Sequence, residues 1–145
     1  VCPATRRTKA HAMPMILIAT SQEMRELSDE PLFSEVIEAC ADEILRDFVH
    51  RDEHALLENV GPAGERLDLP AGRLTLPGHA IETSWFLLRE AAYRQDAALQ
   101  DAALDILRTD WPRLSQAVGD WRVGSVPTFP LPAEEFDVAV ISQTL

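Results

Sequence analysis

No glycine occurs before Gly61, and all six of the chain's glycines lie at or beyond that position. Glycine is the residue that most readily permits a sharp backbone turn, so its absence from the first sixty residues favours long helices there. Hydropathy agrees. In Met13–Leu27, the residues Met13, Ile16, Leu17, Met24 and Leu27 fall on one side at helical spacing, with Ser21, Gln22 and Glu23 between them. Met15–Ala19 is apolar all round, which predicts burial on more than one side. Ser28-Asp29-Glu30 interrupts the pattern, and Pro31 suits the first position of a second helix. There Phe33, Ile37, Cys40, Ile44 and Phe48 form a regular stripe, widened by Val36, Ala41 and Leu45. Glu35, Glu38, Asp42, Glu43 and Arg46 take the other face, and the helix is expected to end near His50.

The character changes after Arg51-Asp52-Glu53. Leu56–Val60 followed by Gly61-Pro62-Ala63-Gly64 reads as a β-hairpin or an extended loop with a glycine-rich turn, and Pro70-Ala71-Gly72 as a second turn. Pro77-Gly78 opens a third helix, His79 to about Tyr93. A fourth runs from about Asp96 to Arg108, with Leu99, Ala102, Ala103 and Ile106 inside. From Trp111 the periodicity fails: four of the ten prolines lie there, no basic residue follows Arg122, and Val138–Ile141 is a strand candidate without a partner. The order helix, helix, β-loop, helix, helix predicts an all-α chain of stacked antiparallel helix pairs with a small β-hairpin between them. Two regions are expected, a helical domain at 1–110 and a divergent tail at 111–145.

Charge and composition exclude several classes. A length of 145 residues suits one domain, and 46% hydrophobic residues is too apolar for disorder. The net charge of −11 argues against nucleic-acid or anionic-membrane partners, which need clustered Lys and Arg. The basic group Arg6, Arg7 and Lys9 reads as a solvated end. No apolar run approaches the roughly 18 residues of a membrane span, and Met13–Ala19 is too short and lacks the flanks of a signal sequence. Cys2 and Cys40 make no disulfide framework; Cys40 reads as a small buried hydrophobe, and a reducing cytoplasm is the expected compartment.

The third helix holds the residues best suited to chemistry. His79, Glu82 and Phe86 share one face, and Ile81, Trp85 and Leu88 another. A helix apolar on most sides would shelter His79 and Glu82, and a carboxylate three residues from an imidazole can orient it and raise its basicity. The competing reading is a capping and surface-charge arrangement, with Glu82 favoured by the helix dipole. His50 and His54 have metal-ligand spacing but sit in a charged connection that reads as solvated, and His11 stands in a polar leader without an identifiable partner.

The segment Gly72–Leu88, with Pro77-Gly78-His79-Ala80-Ile81-Glu82 at its centre, closely resembles the Pro-Gly-His-x-x-Glu-x-x-Trp-x-Leu-Leu block of the N-acylglucosamine 2-epimerase family. Leu57–Val60 resembles the β-loop before that helix, and Met13–Leu17 the start of an earlier barrel helix. The resemblance spans roughly His11 to Arg108. It implies part of an (α/α)6 barrel, and an activity of sugar 2-epimerase or aldose–ketose isomerase type. In the family the His of this block is a general acid/base and the Glu lines the same pocket, so those roles carry over to His79 and Glu82. The implied substrate is a monosaccharide or amino sugar, and no cofactor or metal ion is expected.

The departures shape the remaining expectations. The family's second catalytic His, in a His-x-Pro-Arg-type setting, and its Asn-Pro-x-Met-His motif do not occur here. Where the family continues with Gly-Trp-Asp and a Gly-Gly loop, this chain has Gly119-Asp120-Trp121 and then unrelated residues. Together with the initial Val and the proline-rich end, this leads to the expectation of an internal piece of a barrel, inactive alone. The alternatives are a non-catalytic helical module, whose uncovered apolar faces would favour homo-oligomers, or a gene remnant.

Overall fold

A computed structural model describes residues 7–118, with side chains as far as Arg108. In chain order it has β1 (Lys9–Ala10), α1 (Ala12–Leu27) and α2 (Pro31–Glu43), then one π-helical turn (Ile44–Phe48). β2 (Val49–His50), β3 (Ala55–Leu56) and β4 (Asn59–Val60) follow, and then α3 (Pro77–Arg94) and α4 (Ala97–Val118). The chain is all-α with a small strand element: α1 packs on α2, α3 packs on α4, and α1 touches α3. This is the helix-pair arrangement of a partial barrel.

The predicted stripe of the second helix forms the core's centre. Ile37, Cys40, Ile44 and Phe48 are buried, with Leu56, Leu57, Val60, Leu87, Ala103 and Ile106 packed around them. Pro31 occupies the first turn of α2, as its fixed φ favours. α3 closes on Gln95, whose φ of 54° ends the helix in a left-handed cap. Asp96 then starts α4, its Oδ1 accepting from the Leu99 N–H at 3.0 Å. α4 continues ten residues beyond the expected end at Arg108, across the 110/111 boundary; Cys2, Arg6 and the Val138–Ile141 strand candidate lie outside the described residues.

Several expectations change on contact with the fold. In α1 the apolar stripe faces outward: Met13, Ile16, Leu17, Met24 and Leu27 are exposed, while Pro14, Met15, Ile18, Ser21 and Gln22 are buried. Polar residues turn inward because α3 offers them partners. Gln22 Nε2 donates to the Phe86 carbonyl at 2.9 Å, and Arg25 forms a bidentate pair with Glu90 at 3.0 and 2.7 Å while stacking 3.7 Å over the Tyr93 ring. α3 is buried on one face only, through Ala80, Thr83, Ser84, Leu87, Glu90 and Ala91, and Trp85 is exposed. Small residues there let α4 approach, and Ser84 Oγ donates to the Ala103 carbonyl at 3.0 Å.

Lys9, expected at a solvated end, is buried and paired with Glu43 and Asp47. Burial alone would lower the Lys9 ammonium, but the two carboxylates more than offset it and hold it above its ordinary value. Strand pairing brings this about. β1 runs antiparallel to β4 (Lys9 opposite Val60, Ala10 opposite Asn59), and β2 to β3 (Val49 opposite Leu56). The hairpin therefore turns at Arg51–His54, earlier than the glycine-rich segment. That segment makes its own turn, with the Gly64 N–H donating to the Gly61 carbonyl at 3.0 Å. Gly64 is required there: its φ is +82°, and a Cβ would meet Asp47 Oδ1 at 2.7 Å.

Candidate functional site

The β1–β4 ladder extends one residue further, where the His11 N–H donates to the Glu58 carbonyl at 3.0 Å. This sets the side chains of His11 and Glu58 beside each other although they are far apart in sequence. The Glu58 N–H in turn donates to the Leu74 carbonyl at 2.9 Å, drawing in the segment that leads to α3. Pro77-Gly78 opens that helix, and its first turn delivers His79 to the same place.

The result is a compact group. His79 Nδ1 lies 3.0 Å from Glu58 Oε2, and His11 Nδ1 lies 3.6 Å from Glu58 Oε1, an electrostatic contact longer than a hydrogen bond. The two imidazole rings are 6.3 Å apart, and Phe48 meets His11 edge-on at 5.5 Å. His11 Nε2 and Thr83 Oγ1 are in hydrogen-bond contact at 3.0 Å. His11 and Thr83 have no solvent exposure, Glu58 is nearly buried, and the His79 side chain is 33% exposed, so the group opens to solvent through His79.

Electrostatics assign the protons. Burial pushes the Glu58 carboxyl up, but the imidazoles of His11 and His79 beside it pull it down further, so it ends below its ordinary value. An ionised carboxylate only accepts, so His79 donates through Nδ1–H. Its Nε2 is then the nitrogen with the free lone pair. An imidazole held in this way can take up a proton at Nε2 while the carboxylate stabilises the imidazolium that forms.

Of the residues singled out in the sequence, His79 is at the centre of this group. Glu82 is one turn further along α3 and exposed; the carboxylate that meets His79 is Glu58. His50 is half-buried beside the Asp47 carbonyl, and His54 is exposed in the connection, with φ 48°. His11, for which the sequence offers no partner, is a buried member of the cluster. No local motif marks Glu58 or Thr83. The signal for Glu58 was a lone carboxylate within the apolar run Leu56-Leu57-Glu58-Asn59-Val60. Among the described residues, His11, Glu58 and His79 also form a group whose ligand atoms lie within 4.8 Å of one another.

Comparison with known proteins agrees with the motif. The family model for N-acylglucosamine 2-epimerase (GlcNAc 2-epimerase) matches residues 2–113. The bovine N-acylglucosamine 2-epimerase is 38% identical over 105 residues, covering 71% of this chain and 25% of the relative. The human enzyme is 36% identical over 96 residues (65% and 22%), and the rat enzyme 36% over 103 (70% and 24%). The chain thus spans about a quarter of the length of these curated relatives.

Proposed function

The chain belongs to the N-acylglucosamine 2-epimerase family, and from that premise we propose that it carries one acid–base half of a sugar 2-epimerase or aldose–ketose isomerase. His79 is the acid–base residue, with Glu82 as its partner in the same pocket. The observation that carries the reading is the 3.0 Å bond from His79 Nδ1 to Glu58, which leaves Nε2 to act as the base on a side chain that is 33% exposed.

The chemistry calls for such a group. With the sugar ring open, the hydrogen on the carbon next to the carbonyl is weakly acidic. Nε2 takes it, and the electrons pass into the carbonyl to give an enediolate. Isomerisation returns a proton to the former carbonyl carbon while the proton of the neighbouring hydroxyl passes to the former carbonyl oxygen; epimerisation returns the proton to the same carbon from the opposite face and restores the carbonyl. A single imidazole reaches one face only, so inversion requires a second acid. The His-x-Pro-Arg-type setting that supplies it in the family is absent from this sequence. The chain by itself is therefore expected to show little or no turnover. Robust conversion of N-acetylmannosamine, mannose or cellobiose by the purified chain would contradict that expectation.

A monosaccharide or amino sugar is the expected substrate class, and Cys40, a buried free thiol, fits a reducing cytoplasm. No helix among the described residues is long and apolar enough to cross a membrane. The role of His79 is tested in an active relative that carries this segment. Replacing the matching His by Ala abolishes exchange of the substrate's α-hydrogen with deuterated water. Retained exchange removes the residue from the mechanism.

A further inference from the structure

We infer that His11, Glu58 and His79 form a binding site for a single zinc ion. Two buried polar atoms carry the argument. His11 Nδ1 and Glu58 Oε1 have no solvent exposure and no hydrogen-bond partner, yet they face each other at 3.6 Å. At 3.6 Å they interact through charge but are too far apart for a good hydrogen bond, and a cation between them would satisfy both.

The geometry and chemistry of the donors fit zinc. Tetrahedral zinc with bonds near 2.0–2.1 Å sets its ligands roughly 3.3 Å apart. The two imidazole nitrogens reach different oxygens of one carboxylate, His79 Nδ1 at 3.0 Å from Glu58 Oε2 and His11 Nδ1 at 3.6 Å from Glu58 Oε1, and one donor atom from each of the three residues lies within 4.8 Å of the others, so a bound ion would draw the set inward. Two imidazoles and one carboxylate are a common zinc set, and the solvent side at His79 provides both a route in and a place for water as fourth ligand. The remaining nitrogen of His11 is held by Thr83 Oγ1 at 3.0 Å, the kind of contact that fixes the ring of a metal-bound histidine.

Zinc and the acid–base role exclude one another. Binding at His79 Nδ1 releases that nitrogen's proton to solvent and replaces its bond to Glu58, and a metal-bound imidazole is a weaker base at Nε2. Zinc would thus hold the site inactive. The site itself does not depend on the epimerase reading, because binding is measured without substrate.

The test is isothermal titration of the chelator-stripped 145-residue chain with zinc chloride, with cobalt(II) absorption reporting tetrahedral coordination. One zinc per chain is expected, with proton release that scales with buffer ionisation enthalpy. Binding is lost in Glu58→Gln and His79→Gln, weakened roughly 10–100-fold in Thr83→Val, and kept in the His50→Gln/His54→Gln double variant. His79 is part-exposed, so its variant keeps the fold, as circular dichroism checks, and decides the matter if Glu58→Gln does not fold. Absence of binding near one equivalent in the unaltered chain, or full binding in folded His79→Gln, overturns the proposal. Failure here leaves the acid–base reading standing, and loss of that reading leaves the zinc stoichiometry unchanged.

Discussion

Glu58 is 6% exposed and carries its charge against two imidazoles, so its contribution to stability depends on pH. Because its folded-state value lies below the ordinary carboxylate range near 4.3, its stabilisation is complete above that range. It is lost as pH falls through the depressed folded-state value. Asp47 acts in the same direction: burial pushes it up, but the Arg46 guanidinium and the Lys9 ammonium hold it below its ordinary value. Urea midpoints measured from pH 6 downward are therefore expected to fall steeply in acid, and Glu58→Gln to flatten that limb. An unchanged acid limb would show that Glu58 is not held low. The Arg25–Glu90 pair is a different case, because both partners are well buried, with side chains 12% and 2% exposed. Arg25→Met leaves the Glu90 carboxylate with the neutral Gln22 amide at 3.4 Å in place of a guanidinium and is expected to cost about 3–5 kcal/mol. The double variant Arg25→Met/Glu90→Met is expected to recover much of this in chemical denaturation.

At the scale of elements, helix position was legible wherever periodicity was strong, but helix ends were not: α2 gives way to a π-helical turn after Glu43, and α4 runs on to Val118. The stripe Phe33, Ile37, Cys40, Ile44, Phe48 identified α2 and its inward face, because each apolar residue returned on the same side. The same rule misled in α1. Its apolar residues run all round, so the pattern could not say which side meets this chain's core; the answer was set by Glu90 on α3, which draws Gln22 and Arg25 inward. The distinction is measurable. Leu87→Ala on the packed face of α3, where Leu87 has no exposure, is expected to cost about 2–5 kcal/mol. Leu27→Ala on α1, 82% exposed, is expected to stay within about 0.5 kcal/mol. Equal losses would mean that the face assignment of α1 is wrong.

The whole molecule explains why the candidate site was only partly readable. His79 was marked by its own local motif. Its partner Glu58 lies 21 positions away, and Thr83 lies 72 from His11, so no spacing rule could join them. A strand pairing two residues long does, by setting Lys9 and Ala10 against Val60 and Asn59. The fold also leaves Met13, Ile16, Leu17 and Met24 uncovered along α1. Exposed apolar stripes of this kind associate, so sedimentation is expected to show concentration-dependent self-association that Ile16→Glu/Leu17→Glu relieves. A monomer at all concentrations would count against it. The central claim, that the fold presents His79 as a base through Nε2, rests on the proton at Nδ1. It is tested most directly by long-range proton–nitrogen NMR of the nitrogen-15-labelled chain with chelator present. The expected spectrum has His79 protonated at Nδ1 and bare at Nε2, a preference that Glu58→Gln abolishes. A neutral His79 carrying its proton on Nε2 would contradict the account.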